Sequence, residues 1–354
     1  MILGKALRRS LETVRFVTPV KFWSSKGLAR SVYRDVEQNF GMLAPPVALH
    51  SPAPEVMAAS WLLLRETMVA SWRASRSAKE VVASVVSVNN TCPYCVAVHG
   101  ATLNGLLRDP TAIAIAEHRF DEIPDPDLLA IGNWVRTGKS PQAPPLPLDQ
   151  APELIGVAVT FEYYNRMVNV FLDESPLPSH VPARMRGTMM RLLSVLMRGP
   201  ATRHHEPGAS LDLLPGPAPD PGGLEWAGGA PHIAEAFARA TAVINAAGER
   251  SVPDSVRQLV TERLAGWNGE PMGLTREWLT DAEAVLPPEA RPAGRIALLT
   301  AFASHQVTQA DVDGFRGVHA DDRRLVEVAA WAGLAAARHR LAPIAASYRS
   351  GSGS

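Results

Sequence analysis

Along most of the chain apolar side chains return every three to four residues, the spacing that lines one face of an α-helix. Residues 54–70 show it well, with Val56, Trp61, Leu62, Leu63 and Met68 as a core-facing set. With Pro, Gly and capping residues as punctuation, the first half divides into helices over 25–40, 54–70, 75–89, 92–107, 109–118, 125–137, 152–172 and 181–198. The second half gives 231–248, 253–266, 275–284, 288–305, 308–316 and 321–346. Between the halves the pattern breaks. Residues 199–230 are rich in Pro and Gly, as in the run LPGPAPDPGG over 214–223, and hold few core candidates. Such a stretch is expected to bury little apolar surface and to act as a linker or mobile loop. The expected fold class is all-α.

The ends are read separately. Residues 1–20 are basic and amphipathic, with Ile2, Leu3, Leu7, Leu11, Val14 and Phe16 opposite Lys5, Arg8 and Arg9. This is expected to be a docking arm or a first helix, since the apolar run is too short for a secretory signal. The last five residues, Ser-Gly-Ser-Gly-Ser, are expected to be a flexible tail. The division expected is an arm over 1–24, a first unit over 25–198, a linker over 199–230, a second unit over 231–346 and a tail over 347–354.

Composition narrows the partners. The 354 residues carry 35 Lys and Arg against 35 Asp and Glu, a formal net charge of zero. Neutrality argues against nucleic acid or an anionic surface as the main partner. No uninterrupted apolar run approaches the ~20 residues of a membrane span, so no membrane is expected and the cytoplasm is the expected compartment. His204-His205-Glu206 lies inside the linker; adjacent histidines point apart, and a solvated loop is the better reading.

The candidate chemistry is concentrated between residues 80 and 99. Cys92 and Cys95 are the only cysteines, spaced as Cys-x-x-Cys, with His99 four residues on and Glu80 twelve residues before. Thr91 is expected to cap the helix and Pro93 suits its first turn. Cys95 and His99 then share one face. Orphan N–H groups and the positive end of the helix dipole favour a thiolate there. Glu80, on the preceding helix, reaches the group only if the two helices pair as a hairpin; its expected task is to hold the imidazole or a water. Three other readings of the pair weigh less. A zinc site lacks a second cysteine pair. A structural disulfide is not needed by so large a core. A glutaredoxin-like Cys-Pro-Tyr-Cys would require a βαβ context that the remaining sequence does not offer.

Glu80, Cys92, Cys95 and His99, with Tyr94 and the tail Val-Ala-Val-His-Gly-Ala-Thr-Leu, resemble the alkyl hydroperoxidase D-like (carboxymuconolactone decarboxylase) superfamily. The likeness is sharp over about residues 75–107. The hydroperoxidase carries a histidine between its cysteines, where Tyr94 stands here. The decarboxylases proper lack the cysteine pair, which makes lactone decarboxylation a poor reading. The resemblance implies thiol-dependent reduction of a hydroperoxide: Cys95 attacks, His99 backed by Glu80 takes its proton, and Cys92 resolves the sulfenic acid to a disulfide. A dithiol protein or small thiol then resets the pair. No metal and no cofactor beyond the redox-active Cys92–Cys95 pair is expected, and homo-oligomers are. In the family the long helix corresponding to 152–172 borders the site, so Tyr164 or Arg166, with Tyr94, is expected to line the peroxide pocket. A general dithiol–disulfide oxidoreductase, a lyase using His99 as base and a non-catalytic binding module are the competing functions.

The second half echoes the first. Residues 252–264 fall where the Glu80 helix falls, 267–273 where the Cys-x-x-Cys turn falls, and 325–331 echo 154–160. The counterparts of Glu80 and His99 are Arg257 and Arg276, so this degenerate copy lacks the chemistry. Glu327 and His339 on its last helix read as structural.

Overall fold

The computed structural model describes residues 13–137, 146–177, 181–216 and 218–349, with no side chains described over 344–349. The described residues form fifteen α-helices joined by short turns and 3₁₀ segments, with one isolated β-bridge. In the first half these are α1 (Gly27–Phe40), α2 (Pro45–Ala48), α3 (Pro54–Leu64), α4 (Arg76–Asn89), α5 (Pro93–Leu107), α6 (Thr111–Ala116), α7 (Pro126–Thr137), α8 (Ala151–Phe171) and α9 (Ala183–Ala201). The second half supplies α10 (Pro231–Ser251), α11 (Asp254–Ala265), α12 (Glu277–Glu283), α13 (Arg291–Phe302), α14 (Gln309–Arg316) and α15 (Asp322–Arg349). The all-α expectation holds, and most boundaries fall within a few residues of those expected. No helix of the described residues is long and apolar enough to cross a membrane.

The central element is α8, which is buried on every face from Ala151 to Val168. A helix buried all round packs against neighbours on every side. The second half closes one of those sides through α15. A Cβ on Gly333 of α15 would lie 3.5 Å from the Tyr163 ring and 3.8 Å from the Met167 sulfur, so the two long helices cross closely there. Polar ties reinforce the crossing. Arg166 Nε donates to the carbonyl of Ala301 at 3.1 Å, Arg340 Nε to Glu162 Oε1 at 3.0 Å, and Asn169 Nδ2 to Ser304 Oγ at 3.1 Å. The halves therefore share one core.

Residues 1–12 lie outside the described residues, and 13–20 run as a docked arm, the first of the two readings, and not as a helix. Val14 bridges to Leu172, and Arg15 N–H donates to the Phe171 carbonyl at 2.7 Å. Thr18 N–H donates to Asp322 Oδ2 at 2.8 Å, so this strap ties the end of α8 to the start of α15. The Pro- and Gly-rich segment is also packed, not loose. Leu214, Leu224, Trp226, Ala227 and Ala230 are buried, and Trp226 meets the Phe237 ring edge-on at 5.2 Å. Arg239 Nη1 donates to the carbonyls of Leu211 and Leu214, at 2.7 and 3.0 Å. Gly208 N–H satisfies the buried Glu66 carboxylate at 2.7 Å. Pro and Gly decide how the backbone turns, whereas burial follows the few large side chains between them. His204 and Glu206 do stand in solvent, 3.5 Å apart.

The helix carrying the cysteines is also held from outside. A Cβ on Gly105 of α5 would come within 2.6 Å of the Ser194 carbonyl oxygen on α9. The obstacle is backbone and cannot rotate away. Gly105→Ala is expected to destabilise the protein by roughly 1–3 kcal/mol through overpacking. Gly314→Ala, in α14 with nothing within 4 Å, is expected to be neutral or stabilising by up to ~1 kcal/mol. Urea midpoints of the two variants measure the contrast; equal midpoints would remove the close α5–α9 packing.

Candidate functional site

The site grows from the α4–α5 hairpin. Ser75 caps α4, its Oγ accepting from Ala78 N–H at 3.1 Å. Val81, Val82, Val85 and Val86 anchor this helix in the core and carry Glu80 inside with them. Only Asn90 and Thr91 intervene before the Cys92 cap, and Cys92 N–H donates to the Ser87 carbonyl at 2.9 Å. Such a tight reversal sets α4 and α5 side by side, which brings Glu80 onto the face of His99. The cap differs from the one expected: Cys92, not Thr91, is the N-cap, and Pro93 opens the helix. Thr91 instead has φ 51°, a left-handed conformation unfavourable for a β-branched residue.

Glu80 is fully buried. His99 Nδ1 lies 2.7 Å from Glu80 Oε2, while Arg76 Nε donates to Oε1 at 2.8 Å. Burial by itself would raise this carboxyl, but Arg76 and His99 together outweigh it and hold it below its ordinary 4.5. An ionised Glu80 can only accept, so Nδ1 of His99 carries the proton and Nε2 is the nitrogen able to take another. The imidazole is held in place by the Phe161 ring, edge-on at 4.5 Å.

Cys92 and Cys95 are both buried, and their sulfurs are adjacent, as a pair able to join in a disulfide must be. The expected standing thiolate at Cys95 is not what this environment favours. Burial, and then the neighbouring Cys92, push the Cys95 thiol well above its ordinary value, against a hydrogen bond from Asn165 that acts downward. The physical reason is position. Cys95 sits inside the first turn of α5 and is 4% exposed, so desolvation outweighs the partial charge of the helix end. Tyr94 is buried beside the pair, and its phenol is raised by burial and then by the two sulfurs.

Two expected pocket residues on α8 face elsewhere. Arg166 is directed into the second half, donating to Ala301 and, through Nη1, to the Glu162 carbonyl at 2.7 Å. The Tyr164 ring packs among Phe161, Tyr163 and His50, one layer behind the ring that supports His99. One residue along a helix is a turn of about 100°, which separates Asn165 from both neighbours. Sequence reasoning passed over Asn165, Phe161 and Arg76. Arg76 was detectable as an i, i+4 partner of Glu80. Asn165 was detectable as a small polar residue within an otherwise apolar, aromatic helix.

In the second half Arg257 pairs with Asp254, and Arg276 Nη2 donates to Asp311 Oδ1 at 2.8 Å. Glu327 accepts from Arg250, Arg323 and Ser251, and His339 Nε2 lies 2.9 Å from the Trp267 carbonyl. All four are engaged in local packing.

An all-helical fold with a Glu–His pair bridging the two arms of a hairpin and a Cys-x-x-Cys turn at its bend fits the alkyl hydroperoxidase D-like class, and the chain belongs to that family. Over 330 residues it is 34% identical to Alkyl hydroperoxide reductase Rv2159c of Mycobacterium tuberculosis, covering 93% of this chain and 94% of that protein. No family model matches the sequence.

The depressed Glu80 carboxyl has a consequence for acid stability. Its contribution is fully present above the unfolded value and is lost as pH falls through the lower folded value. Glu80→Gln is expected to be less stable near neutrality, since Arg76 loses a buried partner, and to lose less stability between about pH 6 and about pH 3. Urea midpoints across that range test this; parallel curves for wild type and variant would mean that folding leaves the Glu80 carboxyl unshifted.

Proposed function

We propose that the protein reduces alkyl hydroperoxides with the Cys92–Cys95 pair, using His99 held by Glu80 and Arg76 as the base. The observation that carries this reading is the pairing of His99 Nδ1 with a buried Glu80, on the hairpin whose bend holds two adjacent cysteine sulfurs. The relative's printed name supports the same chemistry. Burial is compatible with a small oxidant, since Cys92 is 1% and Cys95 4% exposed.

The steps balance as follows. His99 Nε2 takes the Cys95 proton as the sulfur attacks one peroxide oxygen. The O–O bond breaks, Cys95 becomes a sulfenic acid, and the departing alkoxide recovers the proton from His99 as an alcohol. Cys92 then attacks the sulfenic sulfur. An S–S bond forms, the S–O bond breaks, and hydroxide leaves with the Cys92 proton as water. Two thiols and one hydroperoxide give a disulfide, an alcohol and water. A dithiol, protein-borne or small, exchanges with the disulfide and restores both thiols. Tyr94, against both sulfurs, shapes the approach. The second half serves as packing for the catalytic half.

One equivalent of alkyl hydroperoxide added to reduced protein is expected to lower the free thiol count from two to zero. Cys95→Ser is expected to abolish peroxide consumption. Cys92→Ser is expected to allow one turnover and then stall with an oxidised Cys95. Glu80→Gln is expected to slow single-turnover consumption by roughly a hundredfold or more, the range for a disabled general base. Thiol counting and stopped-flow peroxide consumption measure these. An unchanged thiol count after peroxide, with intact activity in Cys95→Ser, would overturn the assignment in favour of His99-based lyase chemistry.

A further inference from the structure

The turn that presents the cysteines depends on bonds from outside it. Only Asn90 and Thr91 lie between α4 and the Cys92 cap. Thr91 has φ 51°, a conformation that a β-branched residue keeps only where its surroundings fix it. Its own side chain is exposed, so the fixing falls on the residues around it. From α4, the Ser87 carbonyl accepts from Cys92 N–H at 2.9 Å. From α8, Asn165 Nδ2 donates to Ser87 Oγ at 3.1 Å, and Asn165 Oδ1 accepts from Asn90 Nδ2 at 3.2 Å. Asn169, one turn further along α8, donates from Nδ2 to the Asn90 carbonyl at 3.1 Å and to Ser304 Oγ of the second half at 3.1 Å.

The roles at Asn169 are fixed by its partners. A carbonyl oxygen can only accept, so the atom facing Asn90 is the amide nitrogen. Its two hydrogens are both engaged, one by Asn90 and one by Ser304. Ser304 is buried and lies in the 3₁₀ segment Ser304–Gln306 that follows α13. The Asn169 main chain is held as well, its carbonyl accepting from Arg15 Nη2 at 2.9 Å. One side chain thus joins α8, the second half and the peptide bond that leads into Thr91.

We propose that Asn169 is a positioning residue for the redox pair: by fixing the Asn90 carbonyl against α8 and Ser304, it holds Cys92 beside Cys95 and so favours the disulfide over the dithiol. This rests on Cys92 and Cys95 being the redox pair of the proposed function, and it gives the second half a part in that function through Ser304. The two cysteines are held differently. Cys95 lies inside the first turn of α5, and the helix fixes its backbone. Cys92 is the cap, with φ −110° and ψ 85°, so its place follows the turn before it. Two groups held together react as if at high effective concentration, and freedom in the segment carrying one of them dilutes it. The backbone that Asn169 restrains is the one that carries Cys92.

The test reads the thiol–disulfide equilibrium without peroxide. Reduced protein and oxidised glutathione exchange to give the protein disulfide and two reduced glutathiones, and thiol counting at equilibrium gives the constant K. Asn169→Ala removes the donor. Asn169→Asp keeps the shape and sets a carboxylate against the Asn90 carbonyl. Each is expected to lower K about tenfold, which raises the reduction potential by about 30 mV. Ser304→Ala leaves the bond to Asn90 but frees its anchor, and is expected to lower K by about threefold. Trp226→Leu, which loosens the packing against Phe237 on α10, is expected to lower the urea midpoint and leave K in place. A purely structural role for Asn169 would likewise move urea midpoints alone. K within about twofold of wild type in every variant that folds, K raised, or K lowered as far by Trp226→Leu overturns the proposal. Ser304→Ala decides the matter should neither Asn169 variant fold. Failure of the wild type to consume hydroperoxide would instead sink the function and leave the measured equilibrium standing.

Discussion

A buried carboxylate is the constraint around which the catalytic half is arranged. Glu80 has no exposed surface, and an unpartnered charge there would cost several kcal/mol. It is tolerable only because Arg76 takes one oxygen and His99 the other. Arg76 comes with Glu80 on the same helix, one turn away, so half of the compensation is local. The other half arrives only when α5 docks in register. A slip of one residue between the helices would leave Glu80 half-paired. The hairpin geometry that chemistry requires is thus also the geometry that stability requires, and the same contact selects the tautomer of His99.

The long helix α8 extends this constraint to the rest of the molecule. Phe161 fixes the imidazole, Asn165 bonds Ser87 and Asn90, and Asn169 holds the turn at the Asn90 carbonyl. These positions are four residues apart and make a single stripe. Between them, Glu162 and Arg166 turn to the opposite side and join Arg340 and the Ala301 carbonyl. One helix therefore sorts its polar residues into a face toward the α4–α5 hairpin and a face toward the second half. Because Asn169 also bonds Ser304, the second half touches the turn that carries the cysteines. The Arg257 and Arg276 side chains of that half are engaged in ion pairs.

Much of this was legible in the sequence because it is local. Helix existence follows from apolar spacing over ten or more residues. The Glu80, Cys92, Cys95 and His99 group lies within twenty residues, so a single hairpin brings it together. What was not legible depends on rotation about a helix axis or on long-range contact. Tyr164 and Arg166 have the chemistry of pocket residues, yet it is Asn165 between them that meets the α4–α5 turn, and a buried helix with apolar residues on all sides gives no pattern from which to read that phase. The Thr91 cap was reasonable on propensity. The bend needs a left-handed residue at this point, and tertiary docking of Cys92 imposes it on threonine. The packed course of 199–230 likewise depends on Glu66 and Arg239, which lie far away in sequence and supply partners for its backbone.

The raised thiol of Cys95 changes how the site must work. Each unit of elevation lowers the thiolate fraction at neutral pH about tenfold. Intrinsic nucleophilicity rises in compensation, by roughly threefold per unit for a Brønsted slope near 0.4–0.5. The net loss is then only about threefold per unit, provided that a base removes the proton during attack and not before it. In the proposed reaction His99, held by Glu80, is the base that would do so. Burial of the pair, which would be a defect in a site depending on a standing thiolate, is compatible with that reading.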